Sequence, residues 1–224
     1  MKTAALLLAV FLPGFTEAGT LEGTAKNQKG EIVYVEKHTI EKDEKGLNKL
    51  IRVEYAKPDG SPFATMTSDF AKSKTVPDTV FEDKRFKTKV VMRISVDVVE
   101  FEEFKNEKSV AKKNFPFEES MVASQGFDNF IKLNFAKLDS KPVEFKFGVL
   151  ENKDFFTLTG YKRASSDQGT EYGIKASSWF LRFFANELRV IYDSKTMQIK
   201  SFEGRSNILD DSGNSQDVAI HYKL

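Results

Sequence analysis

The sequence predicts a mainly β fold, a single antiparallel meander that curves into a half-barrel or open barrel of about eleven strands. Apolar and polar residues alternate along many short segments, and glycine-containing turn sequences separate those segments. Such alternation is typical of strands with one buried and one solvated face, an arrangement common in antiparallel sheets. Two segments with a different apolar spacing predict helices at about 125–138 and 178–185.

The alternation is clearest in three segments, LIRVEYA (50–56), VEFKFGV (143–149) and VAIHYKL (218–224). In the second segment Phe145 and Phe147 share the apolar face, while the residues between them are charged or small. Turn sequences such as NQKG, DEKG and KPDG lie between strand candidates. Because these turns are short, they favour pairing between consecutive strands and therefore a meander.

The first helix is predicted from SQGFDNFIKLNFAKL. Phe127, Phe130 and Ile131 recur at helical spacing, and Asp128 falls on a different side. Ser124 precedes the segment and is a candidate N-cap, because its hydroxyl can accept a hydrogen bond from a free backbone N–H. The pattern therefore indicates about three turns of amphipathic helix.

The second helix is predicted from SSWFLRFFANEL, which contains the only tryptophan of the chain. Trp179, Phe180 and Phe183 lie on one face of a helix of one to two turns, and a preceding serine can cap its start. A helix this short and apolar is suited to cover the concave face of a curved sheet.

The N-terminus predicts export. A lysine at position 2 precedes the apolar run AALLLAVFLP, and small residues follow at Thr16 and Ala18. This layout is typical of a secretory signal peptide at 1–18, cleaved after Ala18, and the run is too short to span a bilayer. Residues 19–224 are then one β-rich domain of a periplasmic or secreted bacterial protein, without a transmembrane segment in the mature chain.

Composition limits the partners. The chain has 34 basic and 33 acidic residues, so its net charge of +1 argues against nucleic acid as a partner. The absence of cysteine excludes disulfides and thiolate metal sites. Phenylalanine is unusually frequent, with 21 residues against six tyrosines. Because Phe is large and has no polar group, this excess indicates a large core or a large apolar cavity.

Nothing in the sequence predicts catalysis, a metal site or a cofactor. His38 and His221 each lie within a predicted strand, and His38 shares a face with Glu36, which favours a packing role over ligation. No nucleophile motif or phosphate-binding loop is present. Arg205 and Asn207 alternate along a strand and either point together into a polar cleft or form part of a solvated face. We therefore expect a protein that is not an enzyme.

An exported chain with a meander of about eleven strands and two helical interruptions resembles the periplasmic half-barrel carriers of the LolA and LolB type. That resemblance implies a curved sheet around helices with a hollow for acyl chains, although this chain lacks the lipobox cysteine of LolB. The segments SKPVEFKFGVLENKDFFTLTGYKR and SSWFLRFFANELRVIYDSKTMQIKSFEGRSNI are more closely similar to uncharacterised secreted bacterial proteins.

Two functions follow as hypotheses. A hollow interior would make the protein a non-catalytic binding or carrier module for a lipid or another apolar ligand. A filled interior would leave a structural or interaction protein of the cell envelope with a protein partner. The candidate apolar lining is Phe127, Phe130, Phe145, Phe147, Trp179, Phe180 and Phe183.

Overall fold

The computed structural model describes residues 18–167, 169–177 and 187–223. Residues 1–17 of the predicted signal peptide and the whole predicted helix at 178–185 lie outside these residues. The elements are β1 Gly19–Lys26, β2 Ile32–Lys42, β3 Asn48–Ala56, β4 Pro62–Asp69, β5 Asp78–Asp83, β6 Thr88–Ser95, β7 Val98–Lys105, β8 Lys108–Pro116, β9 Met121–Ala123, α1 Gly126–Ser140, β10 Val143–Val149, β11 Asp154–Ser166, β12 Gly169–Ala176, β13 Leu188–Tyr192, β14 Ile199–Arg205 and β15 Asp217–Lys223.

The mainly β class is confirmed, and the strands form one open, curved sheet in the order β8-β7-β6-β5-β4-β3-β2-β1-β15-β14-β13-β12-β11-β10-β9. The described residues form fifteen strands, more than the eleven predicted. The charged stretch at 100–120, which the sequence favours as an exposed edge strand pair, forms most of β7 and β8, and β8 lies at the edge of the sheet. The sequence did not predict β9 because three residues are too few to show alternation.

One pair departs from the predicted antiparallel meander, because β9 runs parallel to β10. Helix α1 connects these two strands, as parallel neighbours require a crossover. A strictly alternating meander of fifteen strands would leave β1 and β15 pointing the same way. The crossover changes this parity, and β1 and β15 therefore pair antiparallel in the middle of the sheet.

The two edge strands, β8 and β9, are consecutive in the chain, yet the sheet does not close between them. The β7–β8 end instead packs against the first residues of β11. The rings of Phe101 and Phe115 lie 5.5 and 5.3 Å from the ring of Phe155. Lys113 and Asp154 form an ion pair at 3.2 Å across the same junction. Side chains therefore hold the rolled sheet together where backbone pairing is missing.

Helix α1 confirms the helix predicted at 125–138, displaced by one or two residues. The predicted cap is wrong: Gln125 occupies the N-cap position without a side-chain cap bond. Ser124 adopts a positive φ of 51°, and its hydroxyl lies 3.3 Å from the sulfur of Met66. The chain turns sharply at Ser124 because only two residues separate β9 from α1.

Candidate functional site

Four of the predicted lining residues come together between α1 and β10. Phe127 and Phe130 lie one turn apart on the helix, and Phe145 and Phe147 lie on the strand. The rings of Phe130 and Phe145 are 4.4 Å apart, and those of Phe127 and Phe147 are 6.2 Å apart and perpendicular. Phe130 and Phe145 are buried, whereas Phe127 and Phe147 are half-buried. We call these four residues the phenylalanine cluster.

The phenylalanine cluster belongs to an apolar core between α1 and strands β9–β13. Its inner members include Ile131, Tyr172 and Tyr192, all buried. Around them lies a rim of partly buried apolar side chains: Phe127, Phe135, Phe147, Leu158, Leu188, Ile199 and Phe202. The remaining predicted lining residues, Trp179, Phe180 and Phe183, lie outside the described residues. The described part of this core is thus closely packed in its middle and partly open at its rim.

The polar residues of α1 do not all face solvent. Asn129 is fully buried. Its side-chain amide accepts a hydrogen bond from the backbone N–H of Asn48, at the start of β3, and donates one to the backbone carbonyl of Asn48. The side-chain amide of Asn48 donates to Asp128 at 2.7 Å. Lys132, one turn further along α1, pairs with the same oxygen of Asp128 at 2.6 Å. These contacts form a polar seam between α1 and β3.

The polar seam contains buried atoms that lack partners. Among the residues that the structure describes, five buried side-chain oxygens have no partner at ordinary hydrogen-bond geometry: Asn48 Oδ1, Gln125 Oε1, Asp128 Oδ1, Tyr172 Oη and Tyr192 Oη. Two of them belong to one contact, because the hydroxyl of Tyr192 interacts with the carboxylate of Asp128. Native proteins leave few such atoms, so each one needs an explanation. All five belong to α1, to the residue before it, or to strands that pack around it.

The electrostatics of the seam reflect its burial. Burial, and then the negative charge of Asp128, raise the pKa of Tyr192 well above its usual range. Burial is also the main cause that raises the pKa of Tyr172 to about 12. Burial, followed by repulsion from Lys132, lowers the pKa of Lys42 on β2. The interior beside α1 therefore disfavours added charge, and burial keeps Tyr172 and Tyr192 protonated.

A second polar group lies on β2. His38 Nε2 and Glu36 Oε1 are 3.0 Å apart, and Glu36 is only 5% exposed. The ring of Tyr222 packs edge-on to His38 at 5.9 Å, and a side chain at Gly23 would collide with Glu36. The expected shared face of His38 and Glu36 is confirmed, and it points into the sheet interior rather than outwards.

The predicted polar cleft has a different arrangement. Arg205 is exposed and pairs with Asp217 at 2.6 Å. Asn207 is also exposed and donates a long bond of 3.5 Å to the hydroxyl of Tyr55. The buried member of this segment is Ser206, whose hydroxyl bonds that of Tyr34 at 2.8 Å. Arg205 and Asn207 therefore make separate contacts, and the residue between them faces the core.

Two concavities lie elsewhere on the molecule. An open cleft of about 630 Å³ is lined by Lys72, Arg93, Ile94, Ser95, Val96 and Glu100. A smaller one of about 140 Å³ lies beside Arg85 and the β14–β15 loop. Across residues 18–167, 169–177 and 187–223, no three His, Asp or Glu side chains converge as a metal site would require. No helix in those ranges is long and apolar enough to cross a membrane.

No protein-family model and no curated protein matches this chain. Among solved structures, the chain is similar to a beta-barrel-like protein of domain of unknown function DUF1849 from Brucella abortus. The identity is 9%, the TM-score is 0.33, and the match covers 92% of this chain and 94% of that one. The specific likeness to LolA and LolB carriers stays a prediction.

Proposed function

We propose that the protein is a non-catalytic binding module for an apolar or amphipathic ligand of the lipid class. The observation that carries this proposal is the rim of half-buried apolar side chains around the phenylalanine cluster. Phe127 and Phe147 stand at that rim with their rings perpendicular and 6.2 Å apart. An apolar chain laid across them would remove the remaining apolar surface from water.

The free energy of ligand binding would come mainly from the burial of the ligand's apolar surface. Each methylene removed from water contributes about 0.8 kcal/mol, so ten methylenes contribute about 8 kcal/mol before ordering costs. A half-buried ring such as Phe127 or Phe147 gives up little packing when a ligand replaces water beside it. Fully buried Phe130 and Phe145 would support the site from beneath.

The compartment is part of the proposal. A signal peptide at 1–18 places the mature protein in the periplasm or outside the cell, where lipids must be shielded from water during transfer. Its support is the apolar run at 4–13 with small residues at Thr16 and Ala18. Determining the N-terminus of protein isolated from its own cells tests this, and Gly19 is the expected first residue.

The experiment for ligand binding is native mass spectrometry on residues 19–224, purified from a native envelope without detergent. We expect an acyl-bearing adduct in the native spectrum that is lost on denaturation. Phe127→Ala and Phe147→Ala should each weaken binding of the identified ligand by about tenfold. Phe115→Ala is the matched control, because Phe115 is also half-buried but packs in the other core cluster. A clean apo mass together with unchanged binding of added lipids would overturn the proposal.

A second candidate function, interaction with an envelope protein, is favoured by the edge strand β8. Its nine residues are almost all exposed, including Val110, and one side of its backbone has no strand neighbour among the described residues. Exposed edges are templates for strand addition, and the lysines of β8 are a common protection against it. A photocrosslinker at Val110 should capture a specific partner that one at exposed Lys29 does not. Equal labelling from both positions would argue against this candidate.

A further inference from the structure

We infer that the end of the β6–β7 hairpin docks on a membrane surface that contains anionic phospholipid, with Arg93 contacting lipid phosphates and Val96 entering among the acyl chains. The docking surface consists of the turn between the two strands and the open cleft of about 630 Å³ beside it, which Arg93 and Val96 help to line. None of the cleft-lining residues belongs to the phenylalanine cluster, so this is a contact beyond the proposed ligand site.

Val96 occupies the turn at a double cost. Ser95 pairs with Val98, so Val96 and Asp97 form the turn between β6 and β7. Val96 is 88% exposed and has a φ of 52°. A β-branched residue is strained at positive φ, and glycine or asparagine occupies such a position more easily. Val98 is exposed as well, so the hairpin end presents two valines to solvent although neither stabilises the fold from there.

The shape of the hairpin end selects a broad partner. A side chain that is 88% exposed projects from the surface and cannot enclose a small molecule. It can, however, enter the boundary between head groups and acyl chains when the protein lies on a bilayer. Binding of this kind gains from buried apolar area and from attraction to anionic lipids, so it requires positive charge beside the projecting side chain.

Arg93 supplies that charge. It is exposed, and among residues 18–167, 169–177 and 187–223 its guanidinium takes part in no ion pair or hydrogen bond. The other cations nearby are already neutralised: Lys72 pairs with Asp78 at 2.7 Å. Lys112 pairs with Glu100 at 2.8 Å. Arg93 is therefore left to bind an external anion, and its planar fork matches the oxygens of a phosphate group.

The hairpin end extends past its neighbouring strand and is held there by side chains. Strand β5 pairs with β6 as far as Met92, two residues before Ile94. The N–H of Ile94 donates instead to Asp78 at 2.8 Å, and its carbonyl accepts from Lys72 at 2.9 Å. The turn is thus fixed in a projecting position, where a flat surface can reach it.

Co-sedimentation with vesicles tests the docking of residues 19–224, which omit the apolar run at 4–13 that would itself bind lipid. We expect binding to vesicles of equal parts phosphatidylglycerol and phosphatidylcholine, and about tenfold weaker binding to phosphatidylcholine alone. Arg93→Gln should weaken binding to the anionic vesicles about fivefold, and Asp97→Asn should strengthen it because an opposing charge is removed. Arg52→Gln is the matched control, since Arg52 is exposed but paired with Glu41.

Val96→Asn separates docking from folding, because the two readouts should differ in sign. It should weaken vesicle binding about fivefold, while the free energy of unfolding stays the same or rises, since asparagine tolerates a positive φ. Val110→Asn is the control, because Val110 is also exposed but lies on β8. We expect it to leave vesicle binding unchanged.

Three outcomes would overturn the docking. They are no binding to either vesicle, equal binding to both, or binding by Arg93→Gln and Val96→Asn as tight as by their controls. Calorimetry with glycerol phosphate identifies the alternative occupant: if it binds, and Arg93→Gln weakens it while vesicles do not bind, the cleft takes a soluble phosphate compound instead. An acyl adduct in native mass spectrometry does not depend on these results, so failure of docking is distinguishable from failure of the proposed function.

Discussion

The side-chain amide of Asn129 forms hydrogen bonds with both the N–H and the carbonyl of the Asn48 backbone. The Asn48 N–H donates to Asn129 Oδ1 at 2.8 Å, and Asn129 Nδ2 donates to the Asn48 carbonyl at 3.1 Å. Asn129 Nδ2 also reaches the carbonyl of Lys74 at 2.9 Å. A single buried amide thus fixes α1 to β3 and to the loop between β4 and β5.

Asn129→Ala should therefore destabilise the protein by about 2–4 kcal/mol, because it leaves buried backbone groups without partners. Urea denaturation monitored by circular dichroism measures the loss. Asn134→Ala is the control: Asn134 donates only to the Phe130 carbonyl within its own helix, and we expect a loss below about 1 kcal/mol. Equal losses for the two variants would show that α1 is not anchored through Asn129.

Gly126 brings the start of α1 against the chain at Thr75. A Cβ at position 126 would lie 1.9 Å from the Thr75 carbonyl oxygen, which belongs to the backbone and cannot rotate away. Gly126→Ala should lower the free energy of unfolding by more than about 2 kcal/mol, although alanine favours helices more than glycine does. Gly160→Ala is the matched control, because its Cβ would meet nothing closer than 3.5 Å. A neutral Gly126→Ala would mean that α1 can shift away from the loop.

Arg85 connects the β5–β6 turn to the loop between β14 and β15. Its guanidinium bonds both oxygens of the buried Asp83, at 3.1 and 2.6 Å, and one oxygen of Asp211 at 3.1 Å. It also lies 4.0 Å above the ring of Phe63. Because Asp83 is 2% exposed, removing Arg85 leaves a buried carboxylate without its counter-charge.

Arg85→Ala should cost about 3–5 kcal/mol in chemical denaturation, and Arg85→Lys should cost less, because lysine keeps the charge but loses the planar fork. The comparison is Arg52→Ala, which breaks an exposed pair with Glu41 and should cost below about 1 kcal/mol. If Arg85→Ala costs no more than Arg52→Ala, the loop does not depend on this contact.

Local patterns predicted the parts of the fold that depend on neighbours in the chain. Alternation in VEFKFGV placed Phe145 on the buried face, and helical spacing placed Phe130 opposite it, so the phenylalanine cluster could be predicted as a group. Strand β8 has no fully buried residue and therefore shows no alternation, so its charged residues rather than its periodicity indicate an exposed edge strand. The parallel pairing of β9 with β10 was not predicted, because the three residues of β9 are too few to show a period.

The polar seam could not be predicted, because its residues are distant in sequence. Asn48 and Asn129 are 81 positions apart, and an asparagine at a strand start is otherwise typical of a turn. Asp128 and Lys132 at i and i+4 resemble an exposed helix pair, and only the packing of β3 against α1 buries them. Long-range polar contacts of this kind leave no periodic signal in the chain.

The six tyrosines predict a steep loss of stability at alkaline pH. The pKa of each tyrosine is raised, and burial is the largest cause in every case. The pKa is raised strongly at Tyr34, Tyr192 and Tyr222, and it is raised to about 12 at Tyr172. In the unfolded chain they ionise near pH 10. A raised folded pKa gives stability that is complete below about pH 10 and is lost as the pH rises through the folded values.

Tyrosinate absorbance and circular dichroism should therefore change together above about pH 10, because the buried hydroxyls ionise only when the protein unfolds. The same titration in concentrated guanidinium chloride should show all six tyrosines ionising near pH 10, with no structural transition. Tyr192→Phe should shift the alkaline unfolding midpoint upwards, since it removes one group that favours the unfolded state at high pH. Ionisation of most tyrosines near pH 10 with the fold intact would contradict the burial of this core.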